Sequence, residues 1–554
     1  MKYQILGMAF SVLVVFLNGA AWADANDPVL PGPKLRGLVE GLGVGSLIST
    51  AVMATPKKPD GSGGDIIVWG YRYNGHSGNS NWYDGPRGYE HNSAEARRNH
   101  PRFETVKDFK NSTYNKYLVG QKVIRLFTTA HTLYALTEEG ELWAWGDSLY
   151  GTAGCVNTGY ETTQYGTIAG TVSGAPHYQA RPCPTFGIKT PTAQVKKKVA
   201  YIDGGEYNAI ALTDDGDVYT WGRNSFGETT GSSGNKTVPL NITHYFVDKN
   251  GDKEQVILVG GAYEGQYAVS VDKTGKYTLW GWGRSFGYAL VNRGTDVTIR
   301  TPERLTQYDA YAKDIIYING GYGWTGVLLA DGRVVVSGLS RHTGVGASVG
   351  AGDAHRFFEP RVIMGPGSNP ARPRATRLIV RYAGGVAVPD DDDQALYTWG
   401  GTPGGGAYFQ VYGTVPVKRT LAGKLKSVGA TKEAVFYLTE DDKLYGVGYG
   451  DQRVINVCDN NTISWDRNRA LSTDKNSMNW VRRKADGTFL QGGYRIPYEN
   501  WIDVTGVDYC DGTATGYYAG TARQTVRKWT AYDDGRDGPI PSYSGAFVCQ
   551  DDNC

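Results

Sequence analysis

Short apolar segments alternate with polar turns along most of the chain, and one arrangement of them recurs. In "ALTDDGDVYTWGRNSFGETTG" (211–231), an apolar stretch meets an acidic turn, and an aromatic stretch then ends in Trp-Gly before a polar loop. The same order of parts recurs at 133–154, 267–287, 326–346, 386–406, 434–450 and 514–535. A further short apolar segment, often ending in Gly, precedes each copy. Each repeat is therefore predicted to hold several short strands followed by a variable loop.

The spacing of these repeats indicates their architecture. Landmark positions at the end of the Trp-Gly strand lie roughly 50–80 residues apart, at Trp145, Trp221, Trp282, Ser337, Trp399, Val447 and Trp529. Helical patterning is absent between them, and 76 Gly, 38 Tyr and 14 Trp fit aromatic strands joined by glycine-rich turns. The pattern predicts an all-β protein whose repeats close radially as a β-propeller.

The repeat resembles that of the regulator-of-chromosome-condensation family. The stretch "VAYIDGGEYNAIALTDDGDVYTWGRNSFGETTG" (199–231) matches that family's unit nearly throughout, and the resemblance covers roughly residues 123–530. It implies a seven-bladed β-propeller, here interpreted as a secreted bacterial-type member. An additional Trp-Gly strand, "DIIVWG" (65–70), leaves eight blades as the alternative. The simpler interpretation is that this strand completes the blade begun by the C-terminal repeat.

Both ends of the chain are assigned outside the propeller. Residues 1–23 read as a signal peptide, with Lys2, an apolar run at 5–17 and Ala21-Trp22-Ala23 before the expected cut. The export signal predicts a protein in the periplasm, on the cell surface or secreted, with no transmembrane segment after cleavage. The remaining divisions are an N-terminal arm and linker (24–64), the propeller (65–535) and a C-terminal tail (536–554). Within the arm, the apolar segment 38–54 either packs on the propeller or docks into an assembly partner.

Six cysteines, an even number, suggest disulfide bonds in an exported chain. Cys155 and Cys183 share one loop and are expected to pair first. Cys458 with Cys510 and Cys549 with Cys554 is the suggested remainder. The chain contains no CxxC pair, which argues against a zinc ribbon or a redox motif.

Three long loops follow Trp-Gly, or the equivalent position, at 71–122, 147–198 and 449–500. Because all three follow the same point of the repeat, we expect them on one face of the propeller, where insertions often bind partners. Their Tyr, Trp, Asn and Arg content suits recognition. The candidate binding residues are Tyr73, Trp82, Tyr83, Tyr160, Tyr165, Trp465, Trp480 and Tyr494.

The sequence favours binding over catalysis. Ser348 lies in a GxSxG pattern, but a nucleophile elbow needs a strand-to-helix turn that a propeller loop does not supply. The acidic stretches "DKNGDKE" (248–254) and "PDDDDQ" (389–394) are interpreted as turns rather than calcium sites. We therefore expect no enzyme activity, no metal and no cofactor.

The balance of 57 basic and 55 acidic side chains, a formal net charge of +2, does not call for a nucleic-acid partner. The favoured function is an exported binding protein, an adhesin or surface-interaction factor that presents its loops to an extracellular or surface protein or glycan. The resemblance implies two alternatives. One is a secreted inhibitor of an extracellular enzyme, like the family's β-lactamase inhibitor, and the other, weaker one is guanine nucleotide exchange.

Overall fold

The fold is described from a computed structural model. The structure describes residues 50–54, 66–70, 100–105, 121, 123–129, 132–148, 150–155, 178–231, 234–286, 290, 296–345, 356–400, 415–430, 434–440, 444–449, 482–484, 489–490, 495–496, 502–503 and 548–549. None of the helices in these ranges is long and apolar enough to cross a membrane.

The strands form sheets that follow one another along the chain. The first sheet contains β1 (Thr50–Ala54), β2 (Ile66–Gly70) and β3 (His100–Thr105), and the second contains β4 (Val123–Thr128), β5 (Thr132–Thr137), β6 (Leu142–Asp147) and β7 (Tyr178–Phe186). The third contains β8 (Val199–Gly204), β9 (Asn208–Thr213), β10 (Val218–Gly222) and β11 (Lys236–Asn241), and the fourth contains β12 (Gln255–Ala262), β13 (Gly265–Val271), β14 (Tyr277–Phe286) and β15 (Asp296–Arg304).

The chain continues in the same way. The fifth sheet contains β16 (Ile315–Gly321), β17 (Trp324–Leu329), β18 (Val334–Leu339) and β19 (Arg356–Met364), and the sixth contains β20 (Ala375–Arg381), β21 (Gly384–Pro389), β22 (Ala395–Gly400) and β23 (Val417–Thr420). The seventh contains β24 (Leu425–Ala430), β25 (Ala434–Thr439) and β26 (Leu444–Tyr449).

Several short elements complete the described structure. β26 also pairs with β29 (Arg495–Ile496) and β30 (Ile502–Asp503), whereas β27 (Arg482–Lys484), β28 (Phe489–Leu490) and β31 (Val548–Cys549) form a separate small sheet. Short 3₁₀ turns span Thr243–Tyr245, Thr306–Tyr308 and Ala312–Asp314, and α1 spans Ser340–Thr343.

Each complete sheet is a four-stranded antiparallel blade, as the sequence repeat predicted. In the third blade the order is β8, β9, β10, β11, and all residues of the first three strands are buried. Burial on both faces follows from stacking each sheet between two neighbours, and the apolar clusters accordingly join consecutive sheets. The chain is therefore a β-propeller, of which the described residues form seven consecutive blades.

The first blade begins earlier than the sequence suggested. Thr50–Ala54, which we had assigned to the N-terminal arm, pairs antiparallel with β2, and β2 pairs with β3. The Trp-Gly strand at 66–70 thus belongs to a sheet built from its own neighbours in sequence, β1 and β3, because the apolar segment around residue 52 is itself a strand. The repeat at 514–535, counted as the seventh from sequence, lies outside the described residues.

Blades approach one another most closely along their first strands. A Cβ built on Gly261 of β12 would lie 2.0 Å from the Gly204 carbonyl oxygen of β8. Only a residue without a side chain fits there, which explains the Gly at the end of these strands. Further on, β12 and β16 form a parallel bridge, Ala262 with Gly320, which merges the fourth and fifth blades into one sheet.

The Trp of the Trp-Gly pair ties each blade to the preceding one. The indole Nε1 of Trp221 donates a 2.6 Å hydrogen bond to the carbonyl of Thr152, in the loop after the previous Trp-Gly. Trp282 does the same, at 2.9 Å, to the carbonyl of Glu228. Trp399 packs against Gly344 of the preceding loop. Trp221 and Trp282 thus supply both buried apolar area and a directed contact between blades, whereas the Trp399 nitrogen has no hydrogen-bond partner in the described structure.

Ser337 replaces this Trp in the fifth blade, as the sequence shows. Tyr308, from the connection between β15 and β16, is fully buried beside it, and its hydroxyl lies 2.7 Å from the Ser337 Oγ. A tyrosine from outside the repeat pattern therefore supplies the aromatic packing that this blade lacks.

Polar side chains from several blades meet on the propeller axis. Asn319 of the fifth blade donates a 2.9 Å hydrogen bond to Asp203 of the third, and Arg125 of the second lies 4.2 Å from the centre of the Tyr201 ring. Burial raises the pKa of Asp203 to about 6, although Arg125, the Gly204 amide and Asn319 oppose this shift. The axis is thus filled by a polar cluster that joins non-adjacent blades.

Replacing Trp221 by Phe should cost more stability than replacing Trp143 by Phe. Both indoles are fully buried, but the Trp143 nitrogen has no hydrogen-bond partner within the described structure. The Trp221→Phe variant should therefore lose about 1 kcal/mol more in the free energy of unfolding. Chemical denaturation measures the difference, and equal losses would contradict the directed contact between blades.

The charge of Asp203 should weaken the folded state as pH rises. Its folded pKa of about 6 lies above the unfolded value of about 3.9, so the folded chain retains a proton that the unfolded chain has released. The contribution of Asp203 to stability is therefore full below pH 4 and is lost as pH rises to 6. Relative to wild type, Asp203→Asn should gain on the order of 2 kcal/mol between pH 4 and pH 7.

Asp272→Asn is the matched control for this measurement. Hydrogen bonds from the Thr274 hydroxyl and from backbone amides lower the pKa of Asp272, so its trend with pH should have the opposite sign. Urea denaturation at several pH values tests both variants. A stability difference between Asp203→Asn and wild type that does not change with pH would show that the Asp203 pKa is normal.

Candidate functional site

The strand register determines which face of the propeller each loop leaves from. Gly222, at the end of β10, pairs with Asn208 at the start of β9, and the Trp-Gly strands of the other complete blades pair equivalently. Loops after Trp-Gly therefore emerge beside the turns 205–207, 263–264, 322–323 and 382–383, which connect the first and second strands. We call this end of the blades the inner-turn face, and the opposite end, which carries the acidic turns, the acidic-turn face.

The three long loops contain strands as well as connections. The strands β3, β7 and β29 lie inside the spans 71–122, 147–198 and 449–500. The segments 71–99, 148–177 and 450–494 each begin after the Trp-Gly strand or its equivalent, β2, β6 and β26, and so leave from the inner-turn face. The candidate binding residues all lie outside the described residues: Tyr73, Trp82, Tyr83, Tyr160, Tyr165, Trp465, Trp480 and Tyr494.

The first of the suggested cysteine pairs is present. Cys155 and Cys183 form a disulfide with their Cα atoms 6.4 Å apart, and it links the start of the second long connection to β7. Cys458, Cys510 and Cys554 lie outside the described residues, as does the side chain of Cys549.

Aromatic and arginine side chains form a continuous stack across the inner-turn face. Its members come from the inner turns and from the loops after Trp-Gly, and all are buried or half-buried. We call this set the aromatic ladder: Tyr150, Tyr207, Arg223, Phe226, Tyr263, Arg284, Phe286, Tyr322 and Tyr382.

Neighbouring side chains of the aromatic ladder are in direct contact. The Tyr150 and Tyr207 rings are 4.8 Å apart, and the Arg223 guanidinium lies 4.9 Å from the Tyr207 ring and 5.5 Å from Phe226. Arg284 continues the stack, 4.6 Å from Phe226 and 5.4 Å from Phe286. Each guanidinium therefore lies against two rings, a favourable cation–π arrangement.

The far end of the ladder consists of aromatic rings alone. Phe286 lies 4.6 Å from Tyr322, which stacks on Tyr382 at 5.0 Å. Tyr263 contacts both tyrosines edge-on, at 5.3 and 4.9 Å. Side chains from the second to the sixth blade thus form one aromatic surface.

Three glutamates hold the two arginines in place. Arg223 donates to Glu228 at 2.8 Å, to Glu206 at 3.1 Å and to Glu264 at 3.2 Å. Arg284 donates to the other oxygen of Glu264 at 2.7 Å. All these charged side chains are at most 21% exposed, so the charges are satisfied within the ladder and its rings are the accessible part.

Burial affects the titration of this network. Burial raises the pKa of Glu228, and the adjacent Arg223 guanidinium opposes that shift. Burial also raises the pKa of Tyr263, and its neighbour Glu206, whose Oε1 accepts the Tyr263 hydroxyl at 2.8 Å, raises it further. Tyr263 therefore remains a neutral donor at physiological pH.

The acidic-turn face has a different chemistry. Lys197 bridges Asp215 and Asp217 at 2.6 and 2.5 Å, and Lys418 pairs with Asp392 in the "PDDDDQ" turn at 2.9 Å. The "DKNGDKE" segment is a turn in which Asp248 accepts the amides of Asn250 and Asp252. The described residues contain no group of three or more side chains suited to a metal ion. Partly exposed ion pairs of this kind contribute little to stability.

The aromatic ladder was not predicted from the sequence, although several of its residues recur at fixed positions of the repeat. A Tyr follows the glycines of three inner turns, in Gly-Gly-Glu-Tyr207, Gly-Gly-Ala-Tyr263 and Gly-Gly-Tyr322. An Arg follows Trp-Gly in two blades, with a Phe two or three residues later, at 223–226 and 284–286. The repeat order alone places both positions at the same face.

Comparison with known proteins agrees with this architecture. The model of the regulator of chromosome condensation (RCC1) repeat matches residues 199–228. The chain is 28% identical over 170 residues to the RCC1 domain-containing protein RUG3, mitochondrial, of Arabidopsis thaliana, covering 30% of each. It is 28% identical over 152 residues to the probable E3 ubiquitin-protein ligase HERC6 of Homo sapiens, covering 27% of this chain and 14% of that protein.

The matches span less than a third of either curated relative. Among solved structures, human WBSCR16 is similar with a TM-score of 0.48 and 16% identity, covering 70% of this chain and 83% of that one. The two curated relatives come from a plant and from human, and the secreted bacterial-type assignment is not borne out. The third blade therefore contains a repeat of the regulator of chromosome condensation family, and the succession of Trp-Gly blades resembles proteins that carry such repeats.

Proposed function

We propose that the chain is an exported binding protein that docks another protein on its inner-turn face. The presence of a propeller with this repeat supports the proposal that the chain is a protein-binding scaffold. The observation that carries the proposal is the aromatic ladder, because half-buried Tyr and Phe rings backed by Arg are the side chains that dominate binding energy at protein interfaces.

The ladder is preorganised for binding. Its arginines are held by Glu206, Glu228 and Glu264 before any partner arrives, so little side-chain entropy remains to be lost on association. Three long connections leave from the same face and extend the available surface. An adhesin or surface-interaction factor would use such a face.

The geometry favours a protein over a glycan as the partner. Sugars stack on the faces of aromatic rings, but guanidinium groups lie against Phe226 and Phe286. What the ladder offers is ring edges, which carry partial positive charge and suit carbonyl oxygens and other aromatic faces. Inhibition of an extracellular enzyme is one form that such protein binding could take.

Export is supported by two features of the chain. The N-terminal segment has the charge, the apolar run and the small residues of a signal peptide. The Cys155–Cys183 disulfide suits an oxidising compartment. Together they favour the periplasm, the cell surface or the external medium.

The mature chain is expected to begin at Asp24. Ala21 and Ala23 occupy the positions that a signal peptidase reads, so cleavage after Ala23 should remove residues 1–23. Intact mass and N-terminal peptide mapping of the exported protein check this. The Ala23→Asp variant should remain unprocessed, and a wild-type chain that keeps Met1 through to its final compartment would contradict export by cleavage.

Phe226→Ser should weaken partner binding at least tenfold, because Phe226 contacts both ladder arginines and is a central anchor of the surface. Leu240→Ser is the matched control: Leu240 is 39% exposed on the outer strand of the same blade and lies outside the ladder. Binding is read by photo-crosslinking in the native extracellular milieu, with a photoreactive amino acid in place of exposed Ser225.

The same crosslinker in place of exposed Lys273, on the acidic-turn face, reports on the other side. Protein adducts should form from position 225 and fall with Phe226→Ser but not with Leu240→Ser. Adducts that form only from position 273 would place the docking surface on the acidic-turn face and would contradict the proposal.

A further inference from the structure

Two loops of the inner-turn face share two left-handed backbone positions at the same spacing. They are residues 148–155 and 224–231, termed the first and second latch. Gly151 and Gly227 have φ of 78° and 80°, and Gly154 and Thr230 have φ of 68° and 65°. Thr230 adopts a conformation that favours glycine, which shows how strongly the latch shape is imposed on the chain.

The two latches also make equivalent contacts. Each supplies a ladder ring, Tyr150 or Phe226, and each offers a carbonyl to the Trp of the next blade, Thr152 to Trp221 and Glu228 to Trp282. Each latch therefore joins one ring of the docking surface to the Trp that packs the next blade.

The amide hydrogen bonds inside the latches match as well. In the first latch, Gly151 donates to Ser148, Ala153 to the Ser148 hydroxyl, and Gly154 to Gly151. In the second, Gly227 donates to Asn224, Thr229 to the Asn224 side chain, and Thr230 to Gly227. These six amides report on latch order in the same way.

The latches differ in what anchors them. The second is fixed by the ion pair of Arg223 with Glu228, whose other oxygen accepts the Phe226 amide at 2.7 Å. In the first latch, Thr152 occupies the position of Glu228, and Asp147 occupies that of Arg223, so this ion pair cannot form. Cys155 at the end of the latch is instead bonded to Cys183 of β7, which pairs with Ala144 of β6.

We propose that the Cys155–Cys183 disulfide is a redox-sensitive anchor that replaces the Arg–Glu pair and holds the first latch in its docking conformation. The inference about order in the latch stands on the geometry, and its consequence for partner binding rests on the proposed function. Without the bond, the C-terminal end of the latch at residue 155 loses its covalent tie to β7, and the hydrogen bonds to Thr152 and Ala153 remain as its nearest attachments.

The sulfur atoms differ in access, which sets the course of reduction. Cys155 is half-buried, whereas Cys183 is 1% exposed. A thiolate of an external dithiol attacks the Cys155 Sγ, the Cys155–Cys183 bond breaks, and Cys183 leaves as a thiolate that takes up a proton. The second thiol of the reagent then displaces Cys155 as a thiol and closes the reagent disulfide. Two electrons pass from the dithiol to the chain.

The blade should survive reduction because other contacts do not use the disulfide. β7 pairs with β6 from Leu142 to Asp147, and the Thr185 hydroxyl donates to Ala153 at 2.8 Å. The Tyr134 hydroxyl also donates to the Thr152 carbonyl. Reduction leaves these hydrogen bonds to Thr152 and Ala153 in place and removes the covalent anchor at Cys155, so the latch opens more often while the propeller stays folded.

Hydrogen–deuterium exchange of the whole protein, with and without dithiothreitol, tests the proposal. Exchange at Gly151, Ala153 and Gly154 should accelerate at least tenfold on reduction, with no change at Gly227, Thr229 and Thr230. The Cys155→Ser/Cys183→Ser variant should show the same pattern without reductant, which separates this pair from the other four cysteines. Unchanged exchange in the first latch, or equal acceleration in both latches, would overturn the proposal.

Glu228→Gln is the reciprocal control, since it removes the charge that anchors the second latch. It should accelerate exchange only at Gly227, Thr229 and Thr230, whatever the redox state. The exchange measurement needs no partner, so it can succeed or fail independently of docking. If reduction loosens the latch but leaves crosslinking from position 225 unchanged, the anchor and the docking function both stand, and only the dependence of docking on the first latch falls.

Discussion

The hydrogen bond from a buried indole to the carbonyl of the preceding loop is the contact that joins the second, third and fourth blades. Trp221 and Trp282 each reach back into the loop that follows the previous Trp-Gly, so blade packing and loop shape are fixed together. A buried carbonyl left without its donor is costly, which makes this contact directional as well as apolar. The same loops carry Tyr150 and Phe226. The packing between blades therefore also holds these two rings of the docking surface in place.

The two faces of the propeller follow from one repeat. Its acidic turn lies at one end of the blade, and its inner turn and post-Trp-Gly loop lie at the other. Lys197 and Lys418 pair with the acidic turns, whereas arginines neutralised by glutamates support half-buried rings at the opposite end. The charged side chains of the acidic-turn face pair with one another, whereas those of the inner-turn face position aromatic rings. This difference is the physical basis for assigning binding to the inner-turn face.

The repeat, the blade order and the face of the long loops were predictable, because apolar periodicity and turn residues determine them locally. The pairing of Cys155 with Cys183 followed from their shared loop. The strand at Thr50–Ala54 was missed, because its short apolar segment resembles any packed arm until its partner strand is known. Tyr308 beside Ser337, and Arg223 among glutamates from two blades, depend on contacts between distant residues that no local pattern reveals.

The claim that one face binds is tested most directly by footprinting the protein in its native complex. Amide exchange compared between the free and bound chain should slow at the inner turns 205–207, 263–264 and 322–323 and in the loop 223–231. It should remain unchanged at the acidic turn 214–217, where Lys197 already pairs with the carboxylates. Protection of that acidic turn, with the inner turns still exchanging at their free rates, would contradict the account.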